Sequence, residues 1–328
     1  MAAADVSERL RTAMGLVLLA CAPGLLALLW LHGWGLLLNL LLTSVGALAT
    51  EAGLLMLMQR PVRVALSDGS ALVTATLLAI ALPAYAPWWL PLIAASSAIA
   101  IGKHLYGGVG KNPFNPAMLG YALVLLSFPV AMTQWPAPQP LDLGSSLHQV
   151  FGIASSTQPD AWVQATVLDG LRNNRSLTMD ELFAQHPGFG HFGGKGTEWA
   201  SLGFLLGGVF LLQRKVFSWH APVGILSSLF IISLFCWNGS GSDSHGSPLL
   251  HLLSGSTLFA AFFIVTEPVS GPRSPKARLL FGAGVGVLIY LIRTWGSYPD
   301  GIAFAVLLMN LAVPAIERWA GRWEREAT

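Results

Sequence analysis

Charge is what this chain has least of. Only 10% of its 328 residues are Asp, Glu, Lys or Arg, where an ordinary soluble domain carries about a quarter. The formal net charge is +2, and no basic patch rises above loop size, which speaks against nucleic-acid binding. There are two cysteines, Cys21 and Cys236, both inside apolar segments. That speaks against a disulfide framework and against a cysteine-ligated iron–sulfur cluster. His104, His220 and His251 form no metal-ligand spacing with another His or Cys. The pair His186 and His191, in the glycine-rich stretch HPGFGHFGGKG, is too weak a pattern for a metal site. No cleavable leader is expected either: MAAADVSERLRTAMG is polar for too long, so the first span is expected to insert uncleaved.

What is present is apolar. Hydrophobic residues make up 54% of the chain and the mean hydropathy is +0.61. Runs such as Leu36–Thr50 and Leu77–Ala100 carry no charge. Apolar stretches of about 20 residues read as membrane spans, and a bilayer accepts only helices or closed barrels. The runs are continuous, not alternating, so helices are expected. Ten spans follow, near 13–32, 36–58, 70–85, 87–102, 114–131, 199–213, 217–236, 249–266, 279–293 and 301–316. Trp30, Trp34, Trp88, Trp89, Trp219 and Trp295 fall at their ends, as an interfacial belt does.

Those ten spans segregate the basic residues. Arg172, Arg175, Lys195 and Arg293 fall on one side, and the other Lys and Arg residues fall on the opposite side. By the positive-inside rule both termini are cytoplasmic, and residues 132–198 face outward. Ten is two fives, and five is odd, so repeated halves would be inverted. GSALVTATLLAIALP (69–83) resembles GSTLFAAFFIVTEP (255–268), and PAMLGYALVLL (116–126) resembles PDGIAFAVLLM (299–309). The expectation is an all-α polytopic membrane protein of about ten transmembrane helices in two inverted five-helix repeats. Its domains are a first repeat over 1–131, an outer (periplasmic) loop over 132–198, and a second repeat with a cytoplasmic tail over 199–328.

Chemistry concentrates in few places. GKHLYGGVGKNPFNPAMLGYA (102–122) breaks between spans four and five. Each Pro pushes its predecessor out of the α region, and Asn115 is placed to cap a helix with Pro116 in its first position. Capping is one reading of Asn112 and Asn115; lining an ion or cofactor site is the other. The carboxylates near the spans are Glu51, Glu267 in Thr266-Glu267-Pro268, and Asp300 in Pro299-Asp300-Gly301. Carboxylates at membrane depth are costly and so are functional candidates. Glu267 and Asp300, at helix breaks in the second half, are expected to face an ion pathway, with Asn112 and Asn115 nearby. No catalytic residue and no metal ligand is expected.

Three stretches carry a resemblance: GKHLYGGVGKNPFNPAMLGYA, HLLSGSTLFAAFFIVTEPVS and SYPDGIAFAVLLMNLAVP. From about Leu10 to Pro314 the chain resembles the RnfD family of the Rnf (Rsx) electron-transport complexes. It is more distantly similar to the NqrB proteins of sodium-pumping NADH:quinone reductases. The resemblance implies a bacterial inner-membrane flavoprotein that is not catalytic alone. It would carry FMN in phosphodiester linkage to a threonine, attached by a flavin transferase on the outer face. Its complex would pass electrons between ferredoxin and NAD+, coupled to Na+ or H+ movement. Partners would be the A, B, C, E and G components of the Rnf complex, among them a second covalent flavoprotein and a membrane pair holding an iron–sulfur cluster. Riboflavin is a further expected cofactor. Two threonines compete for the attachment. Ser254-Gly255-Ser256-Thr257 looks closer to the family signal, but it lies where a membrane helix is expected. Asp160-Ala-Trp-Val-Gln164-Ala165-Thr166 lies in the outer loop and has the Asp, the Ala and the Thr in place, with Val163 where Ser or Thr is usual. Thr166 is the favoured anchor. The alternative function is a solute channel or carrier without a redox role, since fold does not fix function.

Overall fold

The computed structural model describes residues 2–152, 163–174, 176–296, 298 and 300–326. Among these residues the chain is helical, and extended pairing is confined to isolated bridges. It forms two compact units, Met1–Val163 and Gln164–Thr328. Four helices have the length and apolar composition to cross a bilayer: Glu8–His32, Trp34–Leu57, Pro275–Trp295 and Ile302–Arg322. At 1.5 Å per residue each spans about 30 Å or more, the thickness of the hydrocarbon layer. Ser70–Ala81, Pro116–Ser127 and His220–Phe235 are apolar but shorter.

In the first unit α1 (Ala2–His32) and α2 (Trp34–Leu57) are full-length helices. They are joined at Gly33, whose φ of +56° favours glycine. A short α3 (Val62–Leu66) precedes α4 (Ser70–Ala81). Where the sequence suggests a span over 70–85, α4 stops at Ala81. Leu82 is extended, with ψ 152°, because Pro83 follows it. Asn39 of α2 donates 2.7 Å to the Pro83 carbonyl, so the broken end is held. α5 (Trp89–Ser97) runs on as a π-helical stretch, Ala98–His104. The fifth span is also broken: α6 (Pro116–Ser127) ends at Phe128, just before Pro129, and α7 (Pro129–Met132) follows. Close packing depends on small residues. A Cβ on Gly120 would sit 2.5 Å from the Ala94 carbonyl oxygen, and one on Gly102 would sit 2.8 Å from Cα of Pro116. Beyond the spans, α8 (Leu143–Phe151) puts Val150 against Ala84 and Tyr85.

In the second unit two short helices, α9 (Val167–Asn173) and α10 (Met179–Gln185), precede the apolar α11 (Thr197–Gln213) and α12 (His220–Phe235). The eighth span is not one helix over 249–266. It is α13 (Pro248–Leu253), a break, α14 (Thr257–Phe259) and a π-helical stretch, Ala260–Ile264. Gly255 (φ +62°) and Ser256 (φ +59°) are left-handed and cannot continue a helix. α15 (Pro275–Trp295) and α16 (Ile302–Glu326) complete the unit. α12 and α15 pack at glycines: a Cβ on Gly286 would meet the Ile225 carbonyl oxygen at 2.5 Å. Among the described residues, the four long apolar helices and the three shorter ones, α4, α6 and α12, lie where the hydropathy predicts spans. Residues 132–198 are shared between the units, dividing after Val163.

Candidate functional site

Thr166 is the N-cap of α9. Its hydroxyl donates to Oδ2 of Asp169 at 2.7 Å, and its backbone amide donates to the same oxygen at 3.2 Å. The amide of Asp169 returns a bond to Thr166 Oγ1 at 3.2 Å. This reciprocal capping box satisfies two donors that a helix start leaves open. The helix is anchored by packing: Val167 and Leu168 are buried with Leu182 and Phe189, and against Leu250 of α13. Thr166 itself is half-buried. Ala165 is exposed and Gln164 is half-buried, with its Nε2 lacking a hydrogen-bond partner among the described residues. Gly188 passes close by, since a Cβ there would lie 3.0 Å from the Ala165 carbonyl oxygen and 3.2 Å from Gln164 Nε2. Asp160 lies outside the described residues.

Thr257, the rival, is placed differently. It opens α14 at the break, not mid-helix, and it is fully buried. Its hydroxyl oxygen lies 2.8 Å from the His251 carbonyl and 2.9 Å from the Ser254 carbonyl, and it accepts from Nη2 of Arg293 at 3.0 Å. Arg293, inside α15 and 4% exposed, fills the break. Its Nη1 donates to the His251 carbonyl at 2.9 Å, and its Nη2 donates to the carbonyls of Ser254 and Gly255 at 3.3 and 3.1 Å. Orphaned carbonyls at a helix end need such donors. Nη2 also reaches Asp300 Oδ1 at 3.3 Å, and Asp300 accepts from the Ile302 amide at 3.4 Å, at the start of α16.

The other expected residues are each tied into a helix end. Asn115 accepts from the Met118 amide at 3.1 Å as the cap of α6, with Pro116 in the first turn. Asn112 donates to the Phe114 carbonyl at 3.0 Å, and both asparagines are buried. Glu267 accepts from the Ser270 amide at 3.1 Å and from the Ser270 hydroxyl. The Ser270 carbonyl in turn accepts from Asn310 of α16 at 3.1 Å. Glu267 precedes α15 and Asp300 follows it, so 21 residues of helix, about 30 Å, separate them. They do not form one cluster. Asn112 and Asn115 belong to the first unit.

Among the described residues Glu51 is the best-buried carboxylate. Lys103, from the π-helical stretch, donates to its Oε1 at 2.5 Å, and His104 Nε2 lies 3.4 Å from the same oxygen. Lys103 also donates to Ser70 Oγ at 2.7 Å. Glu51, Lys103 and His104 are all 5% exposed or less. The sequence places Lys103 among the cytoplasmic cations; the fold turns it inward, because the wider π turn sits between α2 and the start of α6. Such turns recur at functional sites. Asp169 and the Glu51–Lys103 pair escape a reading of separate motifs. Thr166-x-x-Asp169 is a capping-box spacing and could have been read from the sequence. The second pairing is 52 residues long-range and could not.

Four helices long and apolar enough to cross a bilayer, several shorter apolar helices and a buried ion pair, all among the described residues, define an all-α polytopic membrane protein. The family described as NQR2, RnfD, RnfE matches residues 3–323. The chain is 63% identical over 312 residues, 95% of its length and 90% of the relative's, to the D component of an ion-translocating oxidoreductase complex from Pseudomonas aeruginosa. It is 46% identical over 321 residues to the corresponding protein of Cellvibrio japonicus, covering 96% of this chain and 90% of that one. To the Aeromonas salmonicida protein of the same description it is 45% identical over 326 residues, 94% and 93% of the two chains. The chain belongs to the NQR2, RnfD, RnfE family.

Proposed function

We propose that the chain is the D-type membrane component of an ion-translocating electron-transport complex and carries FMN as a phosphodiester on Thr166. The observation that carries this is the contrast between the two threonines. Thr166 is half-buried at the start of a surface helix, with a carboxylate on its hydroxyl. Thr257 is fully buried and held in the Arg293 clasp. A modifying enzyme needs the first arrangement, and the residues at Thr166 fit the group. Asp169 can accept the hydroxyl proton as the threonine oxygen takes the flavin phosphoryl group from an activated flavin nucleotide held by the transferase, whose phosphoryl bond to its leaving group breaks. Gln164 and Ala165 line the approach. The flavin, when bound, supplies the redox chemistry, and the protein supplies placement and electrostatics. Riboflavin is the second flavin of this reading, and no residue is assigned to it.

The complex moves electrons between ferredoxin and NAD+ and couples them to Na+ or H+ transport. The chain sits in the bacterial inner membrane with both termini cytoplasmic, beside the A, B, C, E and G components. Those partners include a second covalent flavoprotein and an iron–sulfur membrane pair. Support comes from the names of its relatives, each the D component of an ion-translocating oxidoreductase complex. Glu267, Asp300, Asn112 and Asn115 are proposed to serve the ion pathway, supported by their places at helix breaks. The test is in-gel fluorescence of the denatured protein from a host expressing a flavin transferase, with mass mapping of the labelled peptide. A fluorescent band lost in Thr166→Val and kept in Thr257→Val is expected; a dark wild-type band would sink the redox reading. Complexes with Glu267→Gln or Asp300→Asn that pump the normal number of ions per electron would remove those two residues from the pathway.

A further inference from the structure

Two cations meet on one glycine turn in the first unit. The π-helical stretch Ala98–His104 runs into Leu105-Tyr106-Gly107-Gly108-Val109-Gly110, and Lys111 follows. The Gly107 amide donates to the His104 carbonyl at 2.9 Å and the Gly108 amide to the Lys103 carbonyl at 3.1 Å, which closes the π-helical end. The Lys111 amide then reaches back to the Gly108 carbonyl at 3.3 Å, so the Lys111 side chain folds over the turn. A Cβ on Gly107 would lie 3.0 Å from Cδ of Lys111 and 3.7 Å from its Nζ. Gly107 also has a φ of +106°, which favours glycine. Arg60 arrives from 47 residues away: its Nη1 donates to the Gly107 carbonyl at 3.3 Å. The same nitrogen would lie 3.8 Å from a Cβ on Gly108.

Neither cation has a counter-charge. Among the described residues no carboxylate lies within 4 Å of Arg60 or Lys111. Glu51, the carboxylate bound to this π-helical stretch, is committed to Lys103 and His104. Two like charges brought to one turn repel, and an anion shared between them relieves this. The surroundings say what kind of anion. Trp34–Leu57 is long and apolar enough to cross a bilayer, so Arg60, three residues past its end, lies at the boundary of hydrocarbon and water. The other large side chains there are apolar and open: Leu57 and Met58 before Arg60, and Leu105, Tyr106 and Val109 in the turn, are all exposed. Cations ringed by apolar side chains at that depth match a headgroup phosphate with acyl chains beneath it.

The main chain argues against a nucleotide. A nucleotide-binding glycine loop turns free amides on the phosphates and opens directly into a helix. Here the amides of Gly107, Gly108 and Lys111 are already used. The next helix, α6, starts only at Pro116, and Asn115 caps it. Recognition therefore falls to the two side chains, and a phosphodiester offers one oxygen to each.

We propose that Arg60 and Lys111 hold the phosphate of an anionic phospholipid at this turn, with its acyl chains over Leu57, Leu105 and Val109. Neither flavin takes part, so a failure at Thr166 leaves this site untouched. The test is native mass spectrometry of the full chain, released from a neutral detergent after titration with dioleoyl phosphatidylglycerol, dioleoyl phosphatidylcholine or inorganic phosphate. The wild type is expected to hold one phosphatidylglycerol in preference to phosphatidylcholine. Arg60→Gln/Lys111→Gln is expected to weaken that lipid roughly thirtyfold, about 1 kcal/mol for each cation. Lys111→Gln alone weakens it roughly fivefold and reads the same contact should the double variant fail to fold. Lys111→Arg keeps the lipid, and so does Lys276→Gln, a change at an exposed cation of the second unit. Folded variants at Arg60 and Lys111 that bind phosphatidylglycerol as the wild type does overturn the proposal. A loss in Lys276→Gln as large as in the double variant also overturns it, since attraction to charge in general would then account for the binding. If inorganic phosphate binds through Arg60 and Lys111 and phosphatidylglycerol does not, the occupant is a soluble anion and the lipid is refuted.

Discussion

Replacing Lys103 with Met removes the cation from a buried pair. Lys103 Nζ lies 2.5 Å from Glu51 Oε1, and the two side chains are 4% and 2% exposed. After the change Glu51 keeps only His104, at 3.4 Å, and its Oε2 has no partner among the described residues. Breaking a buried pair from one side costs about 3–5 kcal/mol, because a charge is left without compensation. At 1.4 kcal/mol per factor of ten, the folding equilibrium moves by roughly two to three and a half orders of magnitude. For a chain of this size that is a fall of roughly 10 °C in the unfolding midpoint. The double variant Lys103→Met/Glu51→Leu replaces both charges with apolar groups and recovers most of the loss. It does not recover all of it: His104 Nε2 loses its partner, a residual of about 1–3 kcal/mol. Ser70 is unaffected, since its hydroxyl retains Asp68 at 2.6 Å. The assay is thermal unfolding of the purified protein in one detergent, followed by tryptophan fluorescence, for the wild type, both single variants and the double. A Lys103→Met protein within about 1 kcal/mol of wild type, or a double variant no better than the single, would refute the reasoning.

Three further outcomes follow. Gly286→Val pushes a side chain into the Ile225 carbonyl, 2.5 Å from the new Cβ; it is expected to cost about 1–3 kcal/mol or more and to lower the yield of monodisperse protein on size exclusion. Gly53→Ala in α2 meets nothing within 4 Å and is expected to raise stability by about 0.5–1 kcal/mol in the same unfolding assay. The Thr178 amide and hydroxyl bonds hold the exposed carboxyl of Glu181 below its ordinary value of 4.5. A depressed folded value means that the α10 cap contributes above the ordinary value and loses its contribution as pH falls through the lowered one. Amide exchange in 179–185, corrected for intrinsic rate, should therefore speed up only at acid pH, and Thr178→Val should abolish that step.

The class of this protein, its number of apolar segments and their order are set locally, by uncharged runs and by where proline and glycine interrupt them. Asn115 capping α6 with Pro116 behind it is such a local feature, since cap and helix lie within four residues. So is the Thr166–Asp169 box. Glu51 could be recognised as costly in a membrane, but its cation could not be named: Lys103 is 52 residues away and reaches it only through the π turn. The break at Ser254–Ser256 was hidden for the same reason. Its apolar flanks read as one span, and the groups that make a break tolerable come from Arg293, some forty residues on. Local chemistry determines where a chain can bend. Only tertiary packing decides which distant donor meets the carbonyls a bend exposes.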